Sequence, residues 1–424
     1  MNREQDSFRF DDTFMKHRLV IPLTWILILS VGLSSSCETH TEAHATDPLD
    51  PQAVPQLSLV ETARIGGEDT RPEYLLSQIT SAVFLDDESI AIASGMDEEI
   101  KIFSQKGTFI RTMGHEGGGP GEFRALSSIV ALSGGRLLAW DIQTVRATIF
   151  AADGGVENSV TLDLRGLDQL RPPFVGAFSD GRVVLMDSKS VIGRREEAPG
   201  LRRDTLRFVL FSQDGTRWSE LISVIGPEYF FYNTGEAWGK KRLLFGRSVH
   251  SAVAGDLLLV GNSEELSVIV ASPGDHLIDT LSLPRPPRPV DEDDIALEKE
   301  NWVKEAEAEE EGRQRRLRGY IIRGLIEHPN LHLSLLESIP ALPDLPAFSG
   351  LLGSDDGSIL IGDALRPGAG TQRWFFMGKD FRPVAWFELD DADQLLAASK
   401  ERILVLRRSP LDVESVHVLE LRDR

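Results

Sequence analysis

The sequence holds a single cysteine, Cys37, among 424 residues. With no second thiol, an intramolecular disulfide and a cysteine-rich zinc site are both excluded. Positive charge is scarce too: 45 Lys and Arg stand against 66 Asp and Glu, a net charge of −21. Nucleic-acid binding needs clustered Lys and Arg, so no nucleic-acid partner is expected. Acidity of this size instead keeps a chain soluble and monomeric. Aromatics make up 7%, and the seven Trp are scattered without forming a stacking platform. A carbohydrate-binding or sensing module therefore ranks behind other readings. Catalytic signatures are missing as well. There is no G-x-S-x-G nucleophile elbow and no G-x-x-x-x-G-K-[ST] phosphate loop. With 41% hydrophobic and 26% charged residues, the chain is nonetheless a globular one.

One long apolar run is present, LVIPLTWILILSVGL at 19–33. It has about the length of a signal-peptide core and is short for a membrane span of about 20 residues. Lys16, His17 and Arg18 precede it, and Ser34, Ser35 and Ser36 separate it from Cys37. This arrangement resembles a bacterial lipoprotein signal, with 1–36 removed and Cys37 lipidated as the membrane anchor. Leu33 lies four residues before the cysteine, where such signals place it three before, and Met15 would give a shorter start. Glu38 follows the cysteine in place of the Asp tied to inner-membrane retention, so the resemblance implies the cell envelope, with the outer membrane favoured. Residues 37–55 are mostly polar and Pro-containing and read as a flexible tether.

After Pro55 one paragraph recurs: an apolar run, a tight turn, a second run ending near Asp or Ser, a third run, another turn, a fourth run. The first copy is ITSAVFL, SIAIAS, EIKIFSQ and TFIRTMG, and the second is LSSIVAL, RLLAWD, RATIFAA and 156–162. Copies three (from 174), four (from 248) and five (from 348) repeat it, the third with an excursion up to Asp204. The DG and GG turns supply the positive φ that hairpins need. Each copy is thus a four-stranded antiparallel meander, too small to bury its own faces, and radial stacking covers them. The sixth copy, from 393, has three strands and then the chain stops; QLSLVETARIGG (56–67) supplies a fourth. The expected fold is an all-β, six-bladed β-propeller over 56–424, closed by its N-terminal strand, which leaves no open edge.

The segments IKIFSQKGTFIRTMGHEGGGPGEFRALSSIVAL (100–132) and ILVLRRSPLDVESVHVLEL (403–421) resemble bacterial six-bladed propeller lipoproteins related to NHL-repeat proteins. That resemblance, carried mainly by GPGEF, implies a shape and an envelope address but no defined reaction.

Five glycines and Pro120 crowd the crossing between copies one and two, at 114–121. Strand follows this loop, not helix, and it has no Lys. Phosphate binding is therefore not expected. The structural reading gives the glycines positive φ, lets Pro120 fix one dihedral and sinks Phe123 between blades. The functional reading makes His115, Glu116, Glu122, Phe123 and Arg124 a binding loop on a rigid scaffold.

An insertion at 284–346 separates copies four and five. It opens PRPPRPV, a stiff extended lead, then places acids before basic residues, as a helix dipole favours. The expected helix or helix pair is a packing decoration, a lid, or an arm docking a partner through Trp302, Arg315, Arg316 and Tyr320. Its DEDD run lacks calcium-loop spacing. His328 and His332 flank Pro329 and lack a third ligand, and SQDGTRW (212–218) places its Gly and Trp one residue early for a sialidase Asp-box. Glu61, Asp141, Asp187 and Asp363 could face the axis and hold calcium, as in calcium-dependent lactonase propellers, or Asp could cap turns at strand ends. No cofactor is expected, with calcium the one alternative. The reading is a non-catalytic binding or scaffold module for an envelope protein or peptide. The competing reading is a calcium-dependent hydrolase or lactonase using the central pocket.

Overall fold

The computed structural model describes residues 47–189, 198–233, 238–274, 276–317, 339–354 and 357–424. All of them lie in the unit Ala45–Arg424. The signal segment, Cys37, Tyr320, His328 and His332 fall outside the described residues, as do the side chains of Arg315 and Arg316.

Six antiparallel sheets follow one another along the chain. Blade one is Ile79–Phe84, Ile90–Ser94, Glu99–Phe103 and Phe109–Met113. Blade two is Leu126–Leu132, Arg136–Asp141, Arg146–Phe150 and Val156–Thr161. Blade four begins at Val249–Ala254 and blade five at Gly350–Gly353. The first strand of every blade touches the first strands of its two neighbours, so these six strands form a closed ring around a central axis. The chain is a six-bladed β-propeller.

Both faces of each blade are buried, and alternation along a strand explains how. Leu258 packs toward blade three while Leu259 packs toward blade five. Leu404 and Leu406 face blade one, whereas Ile403 and Val405 face blade five. Six apolar clusters result, one per seam between blades. This is why the second strands read as continuous apolar runs instead of alternating ones.

Blade six closes the ring as the sequence implies. Its order is Leu57–Gly66, Glu414–Asp423, Arg402–Arg408 and Gln394–Ala398, the N-terminal strand outermost. Leu57 pairs with Asp423 and Gly66 with Ser415, with a bulge between Glu61 and Ala63. Ile65 is fully buried in the seam with blade one.

The structure departs from the sequence reading in two places. Residues 47–55, assigned above to a flexible tether, are docked in the seam of blades four and five. Leu49 is buried there, Asp47 pairs with Arg285 at 2.8 Å, and Trp386 Nε1 donates to the Pro51 carbonyl at 3.0 Å. Two apolar residues, Leu49 and Val54, dock this polar stretch. Blade three also has five strands, not four. Its third strand starts at Gly200, its fourth runs Trp218–Asn233, and Trp238–Arg242 adds a fifth. The supposed excursion is in part an extension of this hairpin.

The insertion forms one helix among the described residues, α1, Glu292–Leu317. Asp291 caps it: its Oδ1 accepts from Asp294 N at 2.9 Å, and Asp294 Oδ2 accepts from Asp291 N at 3.2 Å, a reciprocal box. The two stalks of the insertion pair with each other through Val290 N to the Pro343 carbonyl and Leu345 N to the Arg288 carbonyl.

Because closure depends on one strand from each terminus, Ile65→Ala should cost about 2–5 kcal/mol. Urea unfolding followed by Trp fluorescence measures this. A loss under 1 kcal/mol (about the worth of a methylene) would mean the N-terminal strand contributes little to closure.

Candidate functional site

Linkers between blades and the turns joining second to third strands lie on one face of the propeller, here the crossover face. The other two hairpins of each blade lie on the opposite, hairpin face. Three places could carry function: the central channel, the glycine-rich crossing and a cleft beside α1.

The channel encloses about 470 Å³ and is lined by the first strands of all six blades. Val83, Ile129, Ala252, Leu351 and Leu396 represent its walls, and Asp86 is its one ionisable residue among those described. That carboxylate accepts from Gly134 N and Gly135 N at 2.7 and 2.9 Å, stitching blade one to blade two.

The acids weighed either as axial calcium ligands or as caps of turns lie away from the channel. Glu61 sits on the outermost strand of blade six, where its Oε2 lies 2.7 Å from His417 Nδ1. Asp141 is fully buried at the crossover face. It accepts from the backbone N–H of Arg124, Gln143 and Thr144 at 2.6, 2.9 and 2.8 Å. Burial pushes its carboxyl upward, but donors from Arg124, Thr144 and Ala125 outweigh this and hold it below the ordinary range. Asp187 caps Asp168 N and Gln169 N in the same way. Glu98 accepts from Leu126 N at 2.7 Å and Glu414 from Ile79 N at 2.5 Å, each capping the start of the next blade. Asp363 instead takes Arg285 and Arg288, both at 2.8 Å. These carboxylates fix crossings between blades. Among the described residues, no three His, Cys, Asp or Glu are grouped to hold a metal ion.

In the glycine-rich crossing, His115–Glu116 and Glu122–Phe123 form a two-residue parallel ladder. Gly114 (φ +73°) and Gly121 (φ +78°) adopt the left-handed region. A Cβ at Gly114 would collide with the Phe123 ring. Gly118 and Gly119 are small for another reason: Arg124 and Glu122 side chains lie over them. Phe123 is buried between blades one and two. Glu122 accepts from Gly119 N at 2.7 Å, and that bond chiefly holds its carboxyl below the ordinary range. His115 Nε2 lies 3.4 Å from Glu122 Oε1. Arg146 Nη1 donates to the Gly118 carbonyl at 2.7 Å. The structure thus joins His115 to Glu122, leaves Glu116 and Arg124 exposed, and uses Glu122 and Phe123 to hold the loop.

The third place was not singled out from sequence. A cleft of about 620 Å³ opens between α1, the end of blade three's fifth strand and the loop after blade five's second strand. Lys241, Arg242, Phe245, Asn301, Trp302 and Arg366 line it, with Glu298 and Asp391. Trp302 is not a projecting anchor. It is half-buried against Leu243 and Ile339, and its Nε1 donates to Glu298 Oε1 at 3.0 Å. Arg366 pairs with Asp294 of α1 and donates to the Pro289 carbonyl at 2.7 Å. Lys240 pairs with Asp204 at 2.6 Å, but Lys241 and Arg242 form no ion pair among the described residues. His250, whose ring packs at a tilt against Phe348 with centroids 5.2 Å apart, has its pKa held down to about 4, first by burial and then by Arg242. The sequence signals for this site are Trp302, at helical spacing in the insertion, and the Lys240–Lys241–Arg242 triplet in an acidic chain.

A family model described as a 6-bladed β-propeller matches residues 69–146. The fold is similar to a putative exported protein of Bacteroides fragilis NCTC 9343, at 12% identity and TM-score 0.45, over 88% of this chain and 96% of that one. It is also similar to a DUF4221-family member of Bacteroides vulgatus ATCC 8482, at 9% identity and TM-score 0.48, over 87% and 99%. A streptogramin B lyase shares 10% identity at TM-score 0.38, over 87% and 98%. No curated protein matches the chain.

Two outcomes follow. Melting midpoints in calcium and in chelator should coincide, while Asp141→Ala should cost about 1–3 kcal/mol for each buried N–H it orphans; a calcium-dependent rise would overturn the capping role. His250 binds its proton only below about 4 when folded, against 6.5 unfolded. The unfolded chain therefore binds more protons in that window, and stability falls as pH drops from 6.5 toward 4. His250→Gln should flatten the slope of melting midpoint against pH there; an unchanged slope would assign it to other groups.

Proposed function

We propose that the protein is an exported, lipid-anchored, non-catalytic binding module, held at the envelope through Cys37 and taking an acidic peptide segment of an envelope protein in the cleft beside α1. The observation that carries this reading is the pair Lys241 and Arg242, unpaired among the described residues, facing a formed cleft in a chain of net charge −21. An acidic chain that sets two free cations beside Trp302 and Phe245 selects carboxylates with an apolar neighbour. Asn301 adds a side chain that can donate and accept hydrogen bonds. Rigid blades hold the floor, and α1 forms one wall. The resemblance to propeller lipoproteins supports the address, and Asp141, Asp187, Glu98 and Glu414 are taken up as caps. Glu122, Phe123 and His115 serve the scaffold in this reading, with Arg124 and Glu116 at its margin.

Titration of fluorescein-labelled acidic peptides, each containing one aromatic residue, tests it. Arg242→Ala with Lys241→Ala should weaken binding about tenfold or more, given about 1.5–3 kcal/mol for hydrogen bonds to charged groups, and binding should fall with added salt. Equal affinity for neutral peptides, or no effect of the double substitution, would refute it.

A further inference from the structure

The described chain begins at Asp47, and its ion pairs place that residue at the crossover face. Asp47 carboxylate oxygens accept from Arg285 Nε and Nη2, both at 2.8 Å. Arg285 follows the last strand of blade four and also contacts Asp363, which ends blade five's second strand. Burial raises the Asp47 carboxyl, but Arg285 outweighs it and draws it below the ordinary range. The chain therefore enters the propeller at a fixed point. Cys37 lies ten positions before Asp47, a reach of roughly 35 Å at full extension.

The same face carries large apolar side chains that no blade covers. Leu75 and Leu170 lie in linkers, 50% and 91% exposed; Met96 and Leu411 lie in turns between second and third strands, 71% and 86% exposed. These tips belong to blades six, one and the blade two–three linker. The cleft and α1 occupy the sector of blades three to five. Isolated exposed leucines need no explanation. Three leucines and a methionine on the face where the chain enters from its anchor are a different matter.

We infer that the crossover face rests on the lipid surface, with Leu75, Met96, Leu170 and Leu411 inserted at its boundary. Apolar tips carried on short loops suit that depth, where one side of the residue is wet. The cleft then opens within reach of the bilayer, and its partner is a segment next to a membrane. This inference rests on the lipid anchor of the proposed function, not on the identity of the peptide.

The full lipidated chain, reconstituted in vesicles of phosphatidylethanolamine and phosphatidylglycerol, provides the test. A fluorophore is placed at Leu170→Cys or Leu411→Cys, and on the hairpin face at Val156→Cys or Val384→Cys. Spin-labelled lipids should quench the first pair several-fold more than the second. Leu75→Ser with Leu170→Ser and Leu411→Ser should abolish quenching of a fluorophore at Met96→Cys while leaving the melting midpoint unchanged. Equal quenching on both faces, or more on the hairpin face, would overturn the inference. A chain that carries no lipid would overturn it too, yet would leave the peptide titration in solution untouched, so the two failures are separable.

Discussion

Every blade in this protein is apolar on both faces, and no blade can be stable unless both neighbours are present. That mutual covering is the constraint on which the other features depend. It requires the ring to close, so the outermost strand of blade six must come from the other terminus. It makes the seams continuous, so linkers must cross at fixed positions. It also explains where buried acids sit. A strand that starts at a seam presents backbone N–H groups with no ladder partner, and Asp141, Asp187, Glu98 and Glu414 accept from such groups. Acids at strand ends thus belong to the architecture, although their spacing resembles a ring of ligands.

Much of the fold was legible because seam packing has a plain signature. Runs such as 258–260 and 403–406 bury every residue, left and right alternately, and Gly-containing turns separate them at hairpin distance. The terminal closure was legible by counting, since three strands at one end needed a fourth. The docked segment 47–55 was not, because composition there is polar and the two residues that seat it, Leu49 and Val54, form no periodic pattern. Blade three's fifth strand was hidden for a related reason: the hairpin feeding it continues past the blade, where the usual turn signals no longer mark strand ends.

The candidate site was less legible still. The glycine-rich crossing drew attention through composition, and its geometry serves packing: Gly114 leaves room for the Phe123 ring, and Glu122 accepts a bond from its own loop. The cleft assembles residues from 241 to 391. No local pattern announces such a site, because its walls come from a late strand of blade three, a helix in an insertion and a loop of blade five. Trp302 was found by its helical spacing, but its placement against Leu243 depends on how the insertion folds back.

The pairing of Leu57–Gly66 with Glu414–Asp423 has a temporal meaning as well. A chain made or threaded from its N-terminus presents this outer strand long before its partner. Most other ladders in the propeller join segments close in sequence and can form as they emerge. This one joins segments about 350 residues apart, so the ring stays open, with two unpaired edges, until residues 414–423 arrive. Closure of the ring therefore waits on residues 414–423, and a chain cut short of them keeps its blade edges open.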